Sequence, residues 1–402
     1  MRRPVSTPEF VAMIGMMFAT IAFSIDAMLP ALPQIGQELS PDDMNRAQLI
    51  LTSFVLGIGI GTFFTGPLSD AFGRKRVILG GAALYILASA VAFHSTTLEV
   101  TLAARVVQGL GAAAPRIVSV AIVRDLYSGR EMARIVSIAM MIFTIFPAIA
   151  PLIGAGLIAL AGWRSIFLAF IVFSVLSVGW LWLRQPESLP PERRRPFRAR
   201  LIGQALAEML GNPTVRLSIA AQSLCMGILF AMLSVVQPAY DVIFGRADSF
   251  PMWFAGVAVV SASASFLNAV LVVRLGMRRI VTWSLGLQIV MAGAMVPLAL
   301  AGLASETLFW LFLVWQTYCF FMAGTTLGNL NAIAMEPMGH VAGLAASVMS
   351  GISTVIAAAI AAPLGLMFDG TLAPLAGGIF VLSVAAFALM LAMGRVEARL
   401  AA

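Results

Sequence analysis

Charged residues are scarce in this chain of 402 residues: Asp, Glu, Lys and Arg together make up 11% of it, against about 25% in a soluble domain. That is too little charge to build a water-facing surface, and a soluble globular protein is excluded. Cysteine is nearly absent. The two present, Cys225 and Cys319, both fall in apolar stretches and provide neither a disulfide framework nor metal-ligand spacing. Histidine is as sparse; His94 and His340 lie near the ends of apolar stretches, where solvated structural roles suit them. No GxxxxGK[ST] run occurs, so the chain carries no nucleotide site for ATP-driven work.

What is present is hydrophobic sequence, 60% of all residues, with a mean hydropathy of +0.98. Twelve apolar runs are each long enough to cross about 30 Å of hydrocarbon as a helix of about 20 residues. They cover about 10–33, 46–69, 77–97, 99–124, 133–160, 163–184, 213–238, 250–274, 279–302, 306–334, 341–366 and 371–394. The expectation is an all-α integral membrane protein with twelve transmembrane helices, in which internal Gly and Pro are ordinary. Arg2 and Arg3 precede the first run as they would in a signal peptide. That run is too long for a signal, carries Asp26 and lacks a small-residue cleavage site, so it reads as a retained span.

The net charge of +7 is distributed in a way that argues against nucleic-acid binding. With the N-terminus inside, 20 of the 25 Lys and Arg fall in cytoplasmic segments, and three (Arg46, Arg164, Arg246) in outer loops. The other two, Arg105 and Arg116, lie within span 4. This asymmetry is the positive-inside rule and places both termini in the cytoplasm. One polar segment, "RQPESLPPERRRPFRARLIGQALAEMLGNP", divides six spans from six. The chain therefore reads as a half at 1–184, a cytoplasmic linker at 185–212 and a half at 213–402, with the linker arginines in solvent or against anionic headgroups. "FGRKRVI" (72–78) returns as "LGMRRIV" (275–281), and "APLIGAGL" (150–157) more weakly as "APLGLMF" (362–368). A duplicated six-helix bundle is the mark of a transporter whose substrate site lies between repeats.

The junction of spans 2 and 3, "GPLSDAFGRKR" (66–76), places Gly66 and Pro67 where helices approach or bend, Asp70 at a helix end and Gly73 in a tight turn, ahead of a basic cytoplasmic patch. It closely resembles the signature loop of the major facilitator superfamily, with Ala71 where that family usually has Arg or Lys. "SIDAMLPALPQIG" (24–36), "RVVQGLGAA" (105–113), "AIVRDLY" (121–127), "FPAIAPLIGAGL" (146–157) and "EPMGHVAGLAASV" (336–348) resemble, together, the bicyclomycin/chloramphenicol-resistance type of proton-coupled drug antiporter. The likeness covers nearly the whole chain. In span 5, Pro147, Pro151 and Gly154 match the antiporter motif, with Ala150 where Gly is usual. The resemblance implies a major facilitator fold in the bacterial inner membrane, export of small organic molecules in exchange for protons, and no cofactor.

Arginine in hydrocarbon costs at least about 2.5–3.5 kcal/mol, so Arg105 needs a partner in the bundle interior. Asp26 is the one acid deep in any span. By helix rise it and Arg105 both fall in the outer half of the membrane. The resemblance puts spans 1 and 4 in the central cavity with this pair coupled. The expectation is therefore a proton switch: pairing holds the carboxylate, weakened pairing lets Asp26 take a proton, and Gln108 completes the cluster. A static ion pair that only fixes packing is the alternative. Arg116 lies eleven residues beyond Arg105 and about 20° away in azimuth. It either lines the same cavity as a cation that disfavours cationic substrates or snorkels to the cytoplasmic headgroups. The resemblance further implies that Asp70 seats on the N-terminus of span 11 and that Arg74 pairs with Asp125, closing the cytoplasmic side until the halves rock.

Substrate contacts are expected from Gln237, Tyr240, Gln316, Tyr318, Asn329 and Asn331 on spans 7 and 10, with Arg116 from span 4. The functional expectation is a monomeric, proton-coupled multidrug exporter working by alternating access on small-molecule substrates. An exporter or importer of an endogenous metabolite on the same fold is the nearer alternative. A polytopic membrane enzyme is the distant one, since the spans hold no clustered His, Asp and Glu.

Overall fold

The computed structural model describes residues 5–194, 196–197 and 199–401. Arg2, Arg3, Arg195 and Arg198, counted above on the cytoplasmic side, lie outside the described residues. Among those described, regular structure is helical throughout, in fourteen α-helices. They are α1 (Thr7–Asp26), α2 (Leu32–Leu39), α3 (Leu49–Phe72), α4 (Arg74–Phe93), α5 (Leu98–Leu126), α6 (Gly129–Ala161), α7 (Ser165–Arg184), α8 (Ala199–Gly211), α9 (Pro213–Pro238), α10 (Phe250–Leu275), α11 (Met277–Leu300), α12 (Ser305–Met335), α13 (Ala342–Leu366) and α14 (Ala373–Ala401). Twelve helical stretches are long and apolar enough to cross a membrane. Spans 1 to 6 are α1 with α2, then α3 to α7; spans 7 to 12 are α9 to α14.

Local chemistry sets the helix ends. Ser6 caps α1 by accepting from the Glu9 N–H, Thr97 caps α5 through Val100, and Asn212 caps α9 ahead of Pro213. Pro30 and Pro33 lack the N–H that would continue α1, and the chain passes through a 3₁₀ turn at Leu29–Ala31 into α2. The first span consequently continues to Leu39 instead of stopping near 33. Gly73 (φ 96°) and Gly276 (φ 80°) occupy the same place in the two halves, turning α3 into α4 and α10 into α11 in a conformation that side-chain-bearing residues resist.

The chain forms two compact units, residues 1–42 with 53–199 and residues 43–52 with 200–402. The described residues of 185–199 group with the first unit, and the start of span 2 groups with the second. There Asn45 Nδ2 donates to the Phe368 carbonyl (2.6 Å) at the end of α13. In the first unit α1 packs on α5, α6 and α7, and α4 on α5 and α7. In the second, α9 packs on α12, α13 and α14, and α11 on α12 and α14. The neighbour pattern is the same after a shift of six spans.

Candidate functional site

The motif "RVVQGLGAA" works first as a packing device. A Cβ on Gly109 would sit 2.1 Å from the Phe54 carbonyl oxygen of α3, and one on Gly111 2.4 Å from the Gly81 carbonyl oxygen of α4. Only glycine permits these two approaches, and they bring α3, α4 and α5 together around Arg105. The guanidinium is fully buried. It donates from Nη1 to Gln108 Oε1 (2.5 Å) and from Nη2 to the Ser24 carbonyl (3.0 Å) on α1, and lies 4.2 Å over the Phe54 ring. Gln108 Nε2 donates to Ser89 Oγ (2.6 Å), which donates to the Tyr85 carbonyl (2.7 Å). The Tyr85 and Ser24 hydroxyls are hydrogen-bonded at 2.6 Å. A buried network thus runs from α5 through α4 to α1. The sequence reading named Arg105 and Gln108 but missed Ser24, Tyr85, Ser89 and Phe54. Tyr85 and Ser89, one turn apart in an apolar span, were the available signal.

Asp26 is 5% exposed at the last turn of α1, the one carboxylate among the described residues in the buried class. It forms no ion pair with Arg105. The expectation rested on depth and on the family resemblance, and depth leaves the azimuth open. Ser24, which meets Arg105 through its backbone and α4 through its hydroxyl, precedes Asp26 by two residues, about 200° around α1, so the carboxylate leaves the helix on another side. Its position depends instead on α6. A Cβ on Gly154 would stand 2.2 Å from the Ala27 carbonyl oxygen, immediately after Asp26. Gly154 is therefore a contact residue for the end of α1, while Pro147 and Pro151 lie within α6.

At the opposite end of the unit, Arg74 Nε donates to Asp125 Oδ2 (2.9 Å), and Nη1 reaches Asp70 Oδ1 (2.5 Å) and Ser69 Oγ (2.7 Å). Asp70 is thus held by Arg74. Its expected seat at the start of span 11 involves residues 339–342, whose side chains lie outside those described. Gly66 lies one turn before Asp70 in α3. A partner absent from the sequence reading is Glu187, whose carboxylate accepts from the backbone N–H of Arg74 (3.0 Å) and Lys75 (3.1 Å) and caps α4 from outside.

The residues expected to contact substrate do not form one group. Tyr240 and Gln316 are joined, the phenol donating to Oε1 at 3.1 Å, inside a cage of Phe244, Phe250, Phe309 and Phe312. Gln237 is buried on α9. Tyr318 and Asn329 lie roughly 200° and 220° from Gln316 on α12 and are occupied elsewhere. Tyr318 donates to the Ser284 carbonyl of α11, and Asn329 Nδ2 to Asn268 Oδ1 of α10. Asn331 is exposed. Arg116 is half-buried on α5 and has no hydrogen bond or ion pair among the described residues. Gln316 Nε2 and Gln222 Oε1 are buried without a hydrogen-bond partner among the described residues, as suits groups that bind water or a polar ligand group.

Twelve membrane-crossing helices in two like-built units, with an arginine network buried at mid-span, define a multi-pass membrane transporter. The chain belongs to the Major Facilitator Superfamily, whose pattern matches residues 12–362. It is 28% identical to a bicyclomycin resistance protein homolog of Haemophilus influenzae over 96% of this chain and 97% of that one. Against a chloramphenicol resistance protein of Pseudomonas aeruginosa the identity is 29%, over 71% of each chain. Multidrug resistance protein D of Escherichia coli is 26% identical, over 85% of this chain and 83% of its own. In fold, the chain is similar to a D-xylose-proton symporter, with a TM-score of 0.73 at 15% identity over 95% of this chain and 97% of that one.

Proposed function

We propose that this protein exports small drug-like molecules from the bacterial cytoplasm in exchange for protons, by alternating access in the inner membrane with both termini cytoplasmic. The observation that carries the reading is Asp26: a buried carboxylate without a hydrogen-bond or ion-pair partner among the described residues, set where α1 ends against Gly154. An ionised carboxylate withdrawn from water without a counter-ion is costly, so the charge of Asp26 is tied to the helix arrangement around it, and a proton is the particle that settles it. Arg105, held by Gln108 and Ser24, is the fixed cation of the site. Movement of the α1 end relative to α5 changes the field at Asp26 and couples protonation to the switch between openings. The names of the relatives, resistance proteins for bicyclomycin, chloramphenicol and multiple drugs, support export and a drug-like substrate. The Arg74 clasp with Asp70 and Asp125 serves as the cytoplasmic gate.

The test is reconstitution of wild type and Asp26→Asn in liposomes with an imposed pH gradient, following chloramphenicol movement and internal pH together. Wild type is expected to couple the two and Asp26→Asn to lose gradient-driven transport. Unaltered coupling in the variant overturns the assignment.

A further inference from the structure

Residues 43–52 open span 2, yet they group with the second unit, while residues 53–72 of the same span group with the first. They comprise a 3₁₀ segment at Met44–Gln48, capped by Asp43, and the first turn of α3. Ala47, Gln48, Ile50 and Leu51 are buried, and the segment packs on α13. Asn45 Nδ2 donates to the Phe368 carbonyl (2.6 Å) and, at longer range, to the Leu366 carbonyl (3.4 Å). The last carbonyls of a helix have no donor within it, so Asn45 satisfies an end of α13 that α13 cannot satisfy itself. The charge distribution assigns this end of spans 2 and 11 to the outer face.

Three residues on, Gln48 has the opposite effect. Its side chain is 3% exposed, and neither Oε1 nor Nε2 has a hydrogen-bond partner among the described residues. A Cβ on Gly365 of α13 would stand 2.6 Å from Oε1, so the amide lies against backbone bare of a side chain. The same Cβ would meet the Cβ of Ser234 of α9 at 3.4 Å. Ser234 is fully buried, and its hydroxyl is already donated to the Phe230 carbonyl (2.8 Å). A buried amide left without partners favours a state in which water reaches it, whereas the Asn45 hydrogen bonds favour the docked state, by amounts of the same order. Two side chains three residues apart thus pull this segment in opposite directions.

We propose that residues 43–52 are a releasable strap over Gly365 and Ser234, with Asn45 as its catch and Gln48 as a counterweight that keeps the docked position from becoming too stable to leave. The strap rests on the alternating-access part of the reading above and adds an outer counterpart to the Arg74 clasp. It does not depend on Asp26.

The test needs no substrate. Hydrogen–deuterium exchange over residues 43–52, read by mass spectrometry on the full-length protein in lipid nanodiscs, reports how often the strap lifts. Maleimide labelling of a Ser234→Cys variant reports the same event, because Cys225 and Cys319 are buried. Asn45→Ala is expected to raise both rates about fivefold or more, and Gln48→Leu to lower both by a similar factor. Exchange across α4 should stay unchanged in each. Unchanged strap rates in Asn45→Ala, or acceleration that extends to α4, overturn the catch. Faster or unchanged rates in Gln48→Leu overturn the counterweight, because an amide that merely packs gives no reason for its removal to tighten the strap. If Gln48→Leu does not fold, Gln48→Met replaces it under the same criteria. Opposed rates in these two variants, beside wild-type liposomes that show no gradient-driven transport, support the strap and overturn only the proton-coupled export reading.

Discussion

Two residues on different helices hold the site in place, and each invites a direct test. With one planar group Arg105 serves, among other partners, the Gln108 side chain, the Ser24 carbonyl and the Phe54 face. A lysine supplies the charge but not the fork. Arg105→Lys is therefore expected to lose most transport while staying folded, whereas Arg105→Ala strands a buried carbonyl and amide and costs about 1–3 kcal/mol in stability as well. Transport assays beside thermal unfolding in detergent separate the two. Gly154 acts through absence. A methyl group there meets the Ala27 carbonyl oxygen at 2.2 Å, so α6 or the end of α1 must give way, at about 1–3 kcal/mol for overpacking. Gly154→Ala is expected to lower the unfolding temperature and, because the displaced segment carries Asp26, to weaken proton coupling more than substrate binding. A variant with normal coupling would separate Gly154 from the site.

Among the helices, the start of α4 shows how a structural element recruits a segment distant in sequence. Gly73 at its N-cap has no side chain to accept from the first-turn N–H groups, and Glu187 supplies the carboxylate instead, while Ser188 Oγ donates to Asp125 (3.0 Å). Glu187→Ala is expected to cost about 1 kcal/mol, in the range of a lost helix cap, and to loosen the Arg74 clasp; Glu187→Gln should keep part of the capping. Thermal unfolding of the two variants checks the cost, and a smaller penalty for Arg74→Ala in the Glu187→Ala background than in wild type checks the loosened clasp. Elements of this kind divide the legible from the illegible. The spans were legible because crossing hydrocarbon demands about 20 apolar residues wherever it happens. Gly73 was legible because a turn between two helices demands positive φ. Glu187 was not, since nothing local marks a carboxylate in a Pro-rich stretch as the cap of a helix more than a hundred residues earlier. The Asp26–Arg105 pairing failed for a related reason: helix rise orders residues by depth, but a two-residue offset turns a side chain about 200° away.

At the scale of the whole molecule, each unit carries an arginine clasped by acids beside a glycine turn. In the first, Arg74 joins Asp125 at the end of α5, with Glu187 from just beyond α7. In the second, Arg278 joins Glu397 near the end of α14 (2.5 Å) and Glu336 at the end of α12 (3.6 Å). Acids from spans 4 and 10 meet these arginines in both units, but the match is loose: in the repeated stretches Arg278 aligns with Lys75 and Met277 with Arg74, and Glu187 accepts from backbone N–H groups where Glu397 pairs with a guanidinium. Both arginines follow positive-φ glycines in the two most similar stretches of sequence, and the charge distribution assigns both stretches to the cytoplasm. That assignment fixes which face every other loop occupies, and it can be checked without knowing the substrate. Cys225 and Cys319 are fully buried, so the wild-type chain is expected to give little background with a membrane-impermeant maleimide. Cysteines placed at Asp42 and Ala301, both exposed in loops assigned to the outside, should label in intact cells, and one at Glu192, exposed in the segment assigned to the cytoplasm, should label only after permeabilisation. The reverse pattern would invert the molecule. The Arg74 clasp would then close the outer face, and Asp26 would stand nearer the cytoplasm than the periplasm.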